Sequence, residues 1–396
     1  MVKFAILARA LGVEQFGLYN AMLGLMAFVS PFAGWGFNSL LFRYVTRDKF
    51  SFPLWWGNAL TVIAISGSLL AIAVTASSQY IVPQSTLLLS LLLGVMQLIT
   101  SPMSDVVERA FRARYQMRQA AWISTIPQIL AFLALFGFLS MSEQTALTWA
   151  AWSLLASAIG TAILVVVTSV VHGSPKPNLR AIADNWVMGM HFAVGQSASS
   201  IYSSIDRVML ARFGTLSDTG VYAAAMTILG MAKLPLSTLE QITHPKFYEL
   251  GGQSVIATAR FAWKNVKLGT VYAMVAGAGL ILLSPLVPVV LGSSYESSVG
   301  ALRWCAIFPL LSAIGNPARV VITAIDRPQD RTKILMVAAL MNTVLNFMWI
   351  PRYGWRGAIA STVLCEVILV IALWGVILVH AHREHQNGTA TTPPRG

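Results

Sequence analysis

Acidic side chains are scarce in this chain. Asp and Glu number 15 against 27 Lys and Arg, and charged residues make up only 11% of 396. A water-soluble protein of this length normally carries about a quarter charged residues, so these are too few to cover an aqueous surface. Cysteine is rarer still: Cys305 and Cys365 are the only two, and both fall inside long apolar runs. There they read as small apolar fillers, and neither a disulfide framework nor a zinc site follows. No nucleophile–base pair and no metal-ligand cluster stands out. No catalytic residue, cofactor or metal is therefore expected, and the chain does not read as an enzyme.

Apolar sequence is what the chain has in excess, with 56% hydrophobic residues and a mean hydropathy of +0.68. Runs long enough to cross about 30 Å of hydrocarbon recur at 17–42, 54–77, 81–104, 118–140, 145–171, 187–211, 218–244, 265–291, 298–324, 332–351 and 355–380. Open strand edges cannot satisfy their backbone in lipid, so these runs predict helices. Ahead of them "MVKFAILARA" is apolar but too short to span alone, and it has no small-residue cleavage site. It reads as the end of a truncated first helix. The expected fold is an all-α integral membrane protein of about 12 transmembrane helices.

Basic residues test that count, because cytoplasmic loops are enriched in Lys and Arg. Loops at 43–53, 105–118, 172–186, 245–267, 326–333 and the tail at 381–396 hold 18 of them. The alternate loops hold four: Arg9, Arg212, Arg352 and Arg356. One missed or invented helix would destroy this alternation. It places both termini in the cytoplasm and the protein in the inner (cytoplasmic) membrane. The same pattern, with attraction to anionic membrane lipid, accounts for the net charge of +12 without nucleic acid as a partner.

An internal repeat gives the organisation. "ARALGVEQFGLYNAM" at 8–22 is echoed 203 residues later by "ARFGTLSDTGVYAAAM" at 211–226. Pro31 follows Arg9 by 22 residues, and Pro235 follows Arg212 by 23. A weaker echo links 108–130 with 323–345. The copies lie six helices apart, and an even spacing relates halves that point the same way. The expectation is two six-helix lobes in a parallel pseudo-twofold repeat: an N-terminal lobe at 1–171, a cytoplasmic linker at 172–186, a C-terminal lobe at 187–380 and a disordered tail at 381–396. Gly17 and Gly220 are expected to serve the turn and helix entry in each copy.

Polar groups facing lipid are costly, so polar stripes on spans mark a candidate interior site. The seventh helix shows His191, Gly195, Ser199, Tyr202 and Asp206 on one face, with Gln196, Ser200, Ser203 and Arg207 adjoining. The eighth shows Gly230, Lys233, Ser237, Glu240 and His244; the tenth Arg303, Ser312, Asn316, Arg319 and Thr323. The eleventh adds Asn342 and Asn346, the twelfth Ser361, Thr362 and Glu366. Lys233, Arg319, Arg303, Asn316, Asn342, Asn346, Ser237 and Tyr202 are the candidates for a substrate cavity. Asp206, Glu240 and Glu366 are candidates for ion coupling, and Pro31 and Pro235 for hinges. Structural ion pairing within the bundle, or snorkelling near helix ends, is the competing role for the same charges.

The stretches "LARALGVEQFGLYNAM", "SSIDRVMLARFGTLSDTGVYAAAM" and "IPRYGWRGAIASTVLCEVI" resemble the oligosaccharide flippases of the polysaccharide-transporter group, within the multidrug/oligosaccharidyl-lipid/polysaccharide exporter superfamily. The resemblance runs from Leu7 to about Val379. It implies two lobes around a central cavity and alternating access that exports a lipid-diphosphate-linked oligosaccharide, with glycan polymerisation and assembly proteins as further partners. It also implies that basic cavity residues, here Lys233 and Arg319, meet the diphosphate or acidic sugars. The family's first helix is longer than the one present. Three rivals are weighed: a multidrug cation antiporter of the same superfamily, disfavoured by Lys233 and Arg319; a membrane polysaccharide polymerase or ligase, disfavoured by short outer loops; and a scaffold or anchor protein, which would leave the polar stripes unexplained.

Overall fold

A computed structural model describes residues 2–390, apart from the side chains of a few of them. Among the described residues every regular element is helical. The α-helices are α1 (Val2–Val29), α2 (Phe37–Arg47), α3 (Phe52–Ile81), α4 (Leu87–Val95), α5 (Ser101–Ala113), α6 (Met117–Leu139), α7 (Ala146–His172) and α8 (Leu179–Phe213). They continue with α9 (Leu216–Ala232), α10 (Leu234–Gly251), α11 (Val255–Leu283), α12 (Val287–Leu291), α13 (Ser297–Cys305), α14 (Phe308–Ala324), α15 (Pro328–Tyr353) and α16 (Trp355–Ala390).

Eight stretches are long and apolar enough to cross a membrane, and two bent pairs, α1–α2 and α9–α10, bring the number to ten. α8, 35 residues long but with a polar stripe that lowers its hydropathy, is not among them, and the first bent pair already contains the short piece of α1 before Gly12. At Gly12 the backbone leaves the helix (φ 68°, ψ 170°), which is a conformation that glycine adopts without steric cost. The chain is thus a multi-pass membrane protein. Leu282, Val170 and Leu69, 76%, 80% and 63% exposed on helix surfaces, are arranged as lipid requires and as water would not permit.

Helix starts are capped by the residues that border the apolar runs. Thr86 accepts from the Leu89 amide, Ser254 from Ala257 and Asn178 from Ala181, while Thr145 and Thr148 form a reciprocal capping box. Each satisfies amides that have no partner within the helix.

The chain divides into two compact units, Met1–Gly220 and Val221–Gly396. The first has two apolar cores. One gathers Phe37, Leu40, Trp56, Val106 and Phe111, from α2, α3 and α5. The other gathers Met22, Met26, Leu89 and Leu93, from α1 and α4, with Val208 of α8. The bounds of the units differ from those of the expected lobes because α8 lies along α1: a methyl at Gly24 would touch the Ser204 carbonyl and the Val208 side chain. The expected linker 172–186 is partly helical and docks on α3, where the Asn178 amide donates to Asn58 Oδ1 (2.7 Å) and the Lys176 amide to the Pro53 carbonyl (2.8 Å). In the second unit Leu236, Ala273 and Ala313 join α10, α11 and α14.

Two expectations need correction. Gly17 and Gly220 do not serve a turn; both lie within helices, where a side chain on Gly17 would overlap the Leu216 carbonyl and one on Gly220 the Val13 carbonyl. The two repeat copies therefore meet each other at their glycines. The tail is helical as far as Ala390, because α16 continues and Glu384 accepts a hydrogen bond from the Ile256 amide (2.9 Å) at the start of α11. Residues 391–396, and the side-chain settings of Gly195 and Ser199, lie outside the described residues.

Candidate functional site

Lys233 occupies the break between α9 and α10, where the two helices bend by 46°. Pro235 follows at the start of α10 and brings no amide hydrogen, so the ladder is interrupted there. The Tyr272 hydroxyl of α11 donates to the Ala232 carbonyl (2.8 Å) and holds the break against its neighbour. Lys233 is half-buried and lies in the electrostatic field of Glu366, Arg319 and Glu240.

Arg319, on α14, is held by two partners. Nη2 donates to Glu366 Oε2 (2.8 Å) on α16, and Nη1 donates to Asn316 Oδ1 (3.0 Å) one turn earlier. The two charged side chains are 27% and 16% exposed, so water screens the pair only in part. Glu240 lies 3.5 Å from His244 Nε2, one turn along α10. Five expected residues therefore share one cluster: Lys233, Asn316, Arg319, Glu240 and Glu366. Its fixed charges, two cationic and two anionic, balance when both carboxyls are ionised. Beside it is a cavity of only ≈20 Å³, lined by Glu240, Asn265, Ser312 and Asn316, which is room for about one water.

The other expected residues lie elsewhere. Ser237 is half-buried one turn after Lys233 and donates to the Leu234 carbonyl (2.7 Å). Arg303 is exposed on α13 and donates from Nε to Ser284 Oγ (3.1 Å). Asn342 and Asn346 are corrected outright as cavity residues: both are 0% exposed. Asn346 Nδ2 donates to Asn342 Oδ1 (3.0 Å), the Ser361 hydroxyl donates to Asn346 Oδ1, and Asn342 Nδ2 reaches Thr362 Oγ1 (3.5 Å). This ladder closes α15 on α16 and leaves the amides little to offer a ligand. Tyr202 and Asp206 belong to α8 in the first unit, Tyr202 half-buried and Asp206 3% exposed.

Pro31 begins the short 3-10 turn Ser30–Phe32 between α1 and α2, at a bend of 46° like that at Pro235. Here the chain then runs through Gly34, Trp35 and Gly36 with φ of 97°, 47° and 73°. Gly36 backs onto the Gly189 carbonyl of α8 with no space for a side chain, and Trp35 stacks on Trp186 with ring centroids 4.5 Å apart.

Beside this bend is a polar cavity of ≈160 Å³ that the sequence stripes did not foretell. Asn38 and Ser39 of α2, Gln97 and Ser101 near the start of α5, and Gln196 and Ser200 of α8 line it. Of the polar residues in this lining the sequence stripes mark only Gln196 and Ser200, because α2 and α5 carry theirs where the helices are bent or wound differently. Residues Met96–Thr100 form a π-turn, which moves Gln97 off the face that a regular α-helix would give it.

Comparison with known proteins agrees with this architecture. The chain is 24% identical, over 395 residues, to a protein of Escherichia coli K12 named "Putative O-antigen transporter", covering 94% of this chain and 91% of that one. In fold it resembles an inward-facing multidrug resistance MATE family transporter of the MOP superfamily (TM-score 0.78, 16% identity, 96% of each chain). It resembles as well the lipid II flippase MurJ in an inward closed conformation (TM-score 0.77, 13% identity, 95% of this chain and 84% of that one). Residues 1–248 match the family of polysaccharide biosynthesis proteins, and the chain belongs to that family.

Proposed function

We propose that this protein is an alternating-access flippase that carries a lipid-diphosphate-linked oligosaccharide, a polysaccharide repeat unit, from the cytoplasmic to the outer leaflet of the inner membrane. Both termini then face the cytoplasm, as the distribution of basic residues requires. The observation that carries the reading is the ionic cluster of Lys233, Arg319, Glu240 and Glu366 on membrane-spanning helices. Intramembrane charges are costly and are kept where they meet a ligand or one another. A diphosphate leaving water needs fixed cations, and a guanidinium with a planar fork plus an ammonium can supply them in a low-dielectric setting. The names of the O-antigen transporter and the lipid II flippase support the same substrate class.

The arrangement also supports ion coupling. Arg319 is already paired with Glu366, so an arriving phosphate competes with that carboxylate for the guanidinium. The displaced Glu366 carboxylate has then lost its guanidinium within the membrane, and a proton or a sodium ion is the counter-charge that replaces it. Anion binding and cation uptake thereby become linked steps, with Glu366 and Glu240 as the carriers.

The test is transport in proteoliposomes of a polyprenyl diphosphate bearing a short glycan. Lys233→Ala is expected to lower the rate tenfold or more, about 1.4 kcal/mol of lost stabilisation per decade, with unchanged protein in the membrane. Unimpaired transport in that variant would refute the assignment. Export of hydrophobic cations in place of the glycolipid would favour the multidrug reading.

A further inference from the structure

We infer that the cavity of the first unit, bounded by α2, α5 and α8, is a binding site for the uncharged saccharide portion of the substrate, distinct from the ionic cluster around Lys233. The inference rests on the flippase reading for its substrate and on the cavity's own chemistry for its selectivity.

The lining is unusual for a membrane protein. Three carboxamides, Asn38, Gln97 and Gln196, and four hydroxyls, Ser30, Ser39, Ser101 and Ser200, converge on it. Each carboxamide both donates and accepts, and each hydroxyl does the same. A sugar ring offers the complementary set, since every hydroxyl of a pyranose is at once donor and acceptor. Phe192 and Pro31 add apolar surface to the same wall, suited to the C–H face of such a ring. One acceptor is unmet: Asn38 Oδ1 is buried and receives no hydrogen bond from a described residue. A buried acceptor without a donor is costly.

Room and lining chemistry decide between the sugar and the diphosphate. The charged residues that line the cavity are Asp105 and Arg109, adjacent on α5 and in each other's field. The next turn repeats the arrangement, with Glu108 paired to Arg112. These four side chains sum to no net charge, as at the Lys233 cluster, so it is the larger volume and the neutral hydrogen-bonding groups of the lining that suit a sugar here. A carboxylate and a guanidinium side by side also suit neighbouring hydroxyls, one accepting and the other donating. The two sites thus divide the substrate by chemistry. The cluster at Lys233 has cations but a cavity of ≈20 Å³, and the cavity at Asn38 has ≈160 Å³ and a neutral polar wall.

The native cysteines, Cys305 and Cys365, are both buried, so one introduced thiol can report on the cavity. The protein would carry Ser39→Cys, in nanodiscs, and the rate of alkylation by a polar maleimide would be measured with three probes. These are a polyprenyl diphosphate bearing a neutral trisaccharide, the same lipid diphosphate without sugar, and the free trisaccharide. At ten times its dissociation constant the glycosylated lipid is expected to slow labelling about tenfold, and the bare lipid to leave it unchanged. Gln196→Ala and Asn38→Ala should each weaken that protection about fivefold; an unaltered labelling rate without ligand shows that each variant is folded. Equal protection by the bare lipid would overturn the inference, because the site would then read lipid or phosphate. Absence of protection while Lys233-dependent transport continues would overturn it too and leave the proposed function standing. If no transport is found at all, the free trisaccharide decides: protection at saturating concentration upholds the sugar site, and none removes it.

Discussion

The two units each contain a helix pair bent by 46°, at Pro31 in one and at Pro235 in the other, yet the bends are held by different means. In the first unit three successive residues, Gly34 to Gly36, take positive φ, and the turn is locked by Gly36 against Gly189 and by Trp35 on Trp186. In the second the backbone at Lys233 stays near helical values (φ −88°, ψ −8°), and its side chain faces an ionic cluster. One backbone device has been kept through the repeat while its surroundings diverged, neutral and hydroxyl-rich in one copy and charged in the other. The bend is thus a frame, and what stands around it sets the chemistry.

The sharpest break of this contrast is Arg319→Ala. It removes the guanidinium partner of Glu366 on a membrane helix, and the loss is expected at about 3 kcal/mol, the lower end for a broken buried pair, read as a lower unfolding midpoint in detergent together with loss of transport. Arg319→Ala combined with Glu366→Ala should recover the midpoint but not transport. Full transport by either variant would remove the second unit's charge from the mechanism.

Next in size is Gly17→Ala, which places a methyl group against the Leu216 carbonyl. Overpacking of that kind costs about 1–3 kcal/mol, and the same midpoint should fall without any change in substrate preference. Asn346→Ala follows, at about 1–3 kcal/mol for partners left unpaired. If Asn346 only joins α15 to α16, the apparent affinity for glycolipid stays constant while stability drops. A selective loss of affinity would return it to the cavity.

The smallest effect tests the bends directly. Pro31→Ala should leave its bend in place, because Gly34–Gly36 and the α8 contacts hold it. Pro235→Ala should narrow the α9–α10 angle, because no positive φ residue supports it. Spin labels flanking each bend would report the two distances, and equal responses would cancel the distinction drawn here.

Much of the fold was legible because lipid imposes few solutions. Span length, loop charge and the 203-residue echo were enough to give the twelve segments. Lys233, Arg319, Glu240 and Glu366 were legible as a group for the same reason, since ionised groups in spans must find one another. Asn342 and Asn346 were misread because an amide stripe looks the same from sequence whether it meets a cavity or another amide. The cavity at Asn38 was missed for a different reason. It depends on a π-turn at Met96–Thr100 and on left-handed residues after Pro31, and helical periodicity contains neither.

The meeting of Gly17 with Leu216 and of Gly220 with Val13 has the form of an isologous interface inside a single chain. Adding 203 to 17 gives 220 and subtracting 203 from 216 gives 13, so exchanging the two copies returns the contact to itself, as a twofold axis does between identical subunits. Such a patch is self-complementary, so a side chain added on either strand of the repeat pushes apart the same two helices. The two glycines are therefore energetically coupled, and the double alanine substitution should cost less than the sum of the single ones.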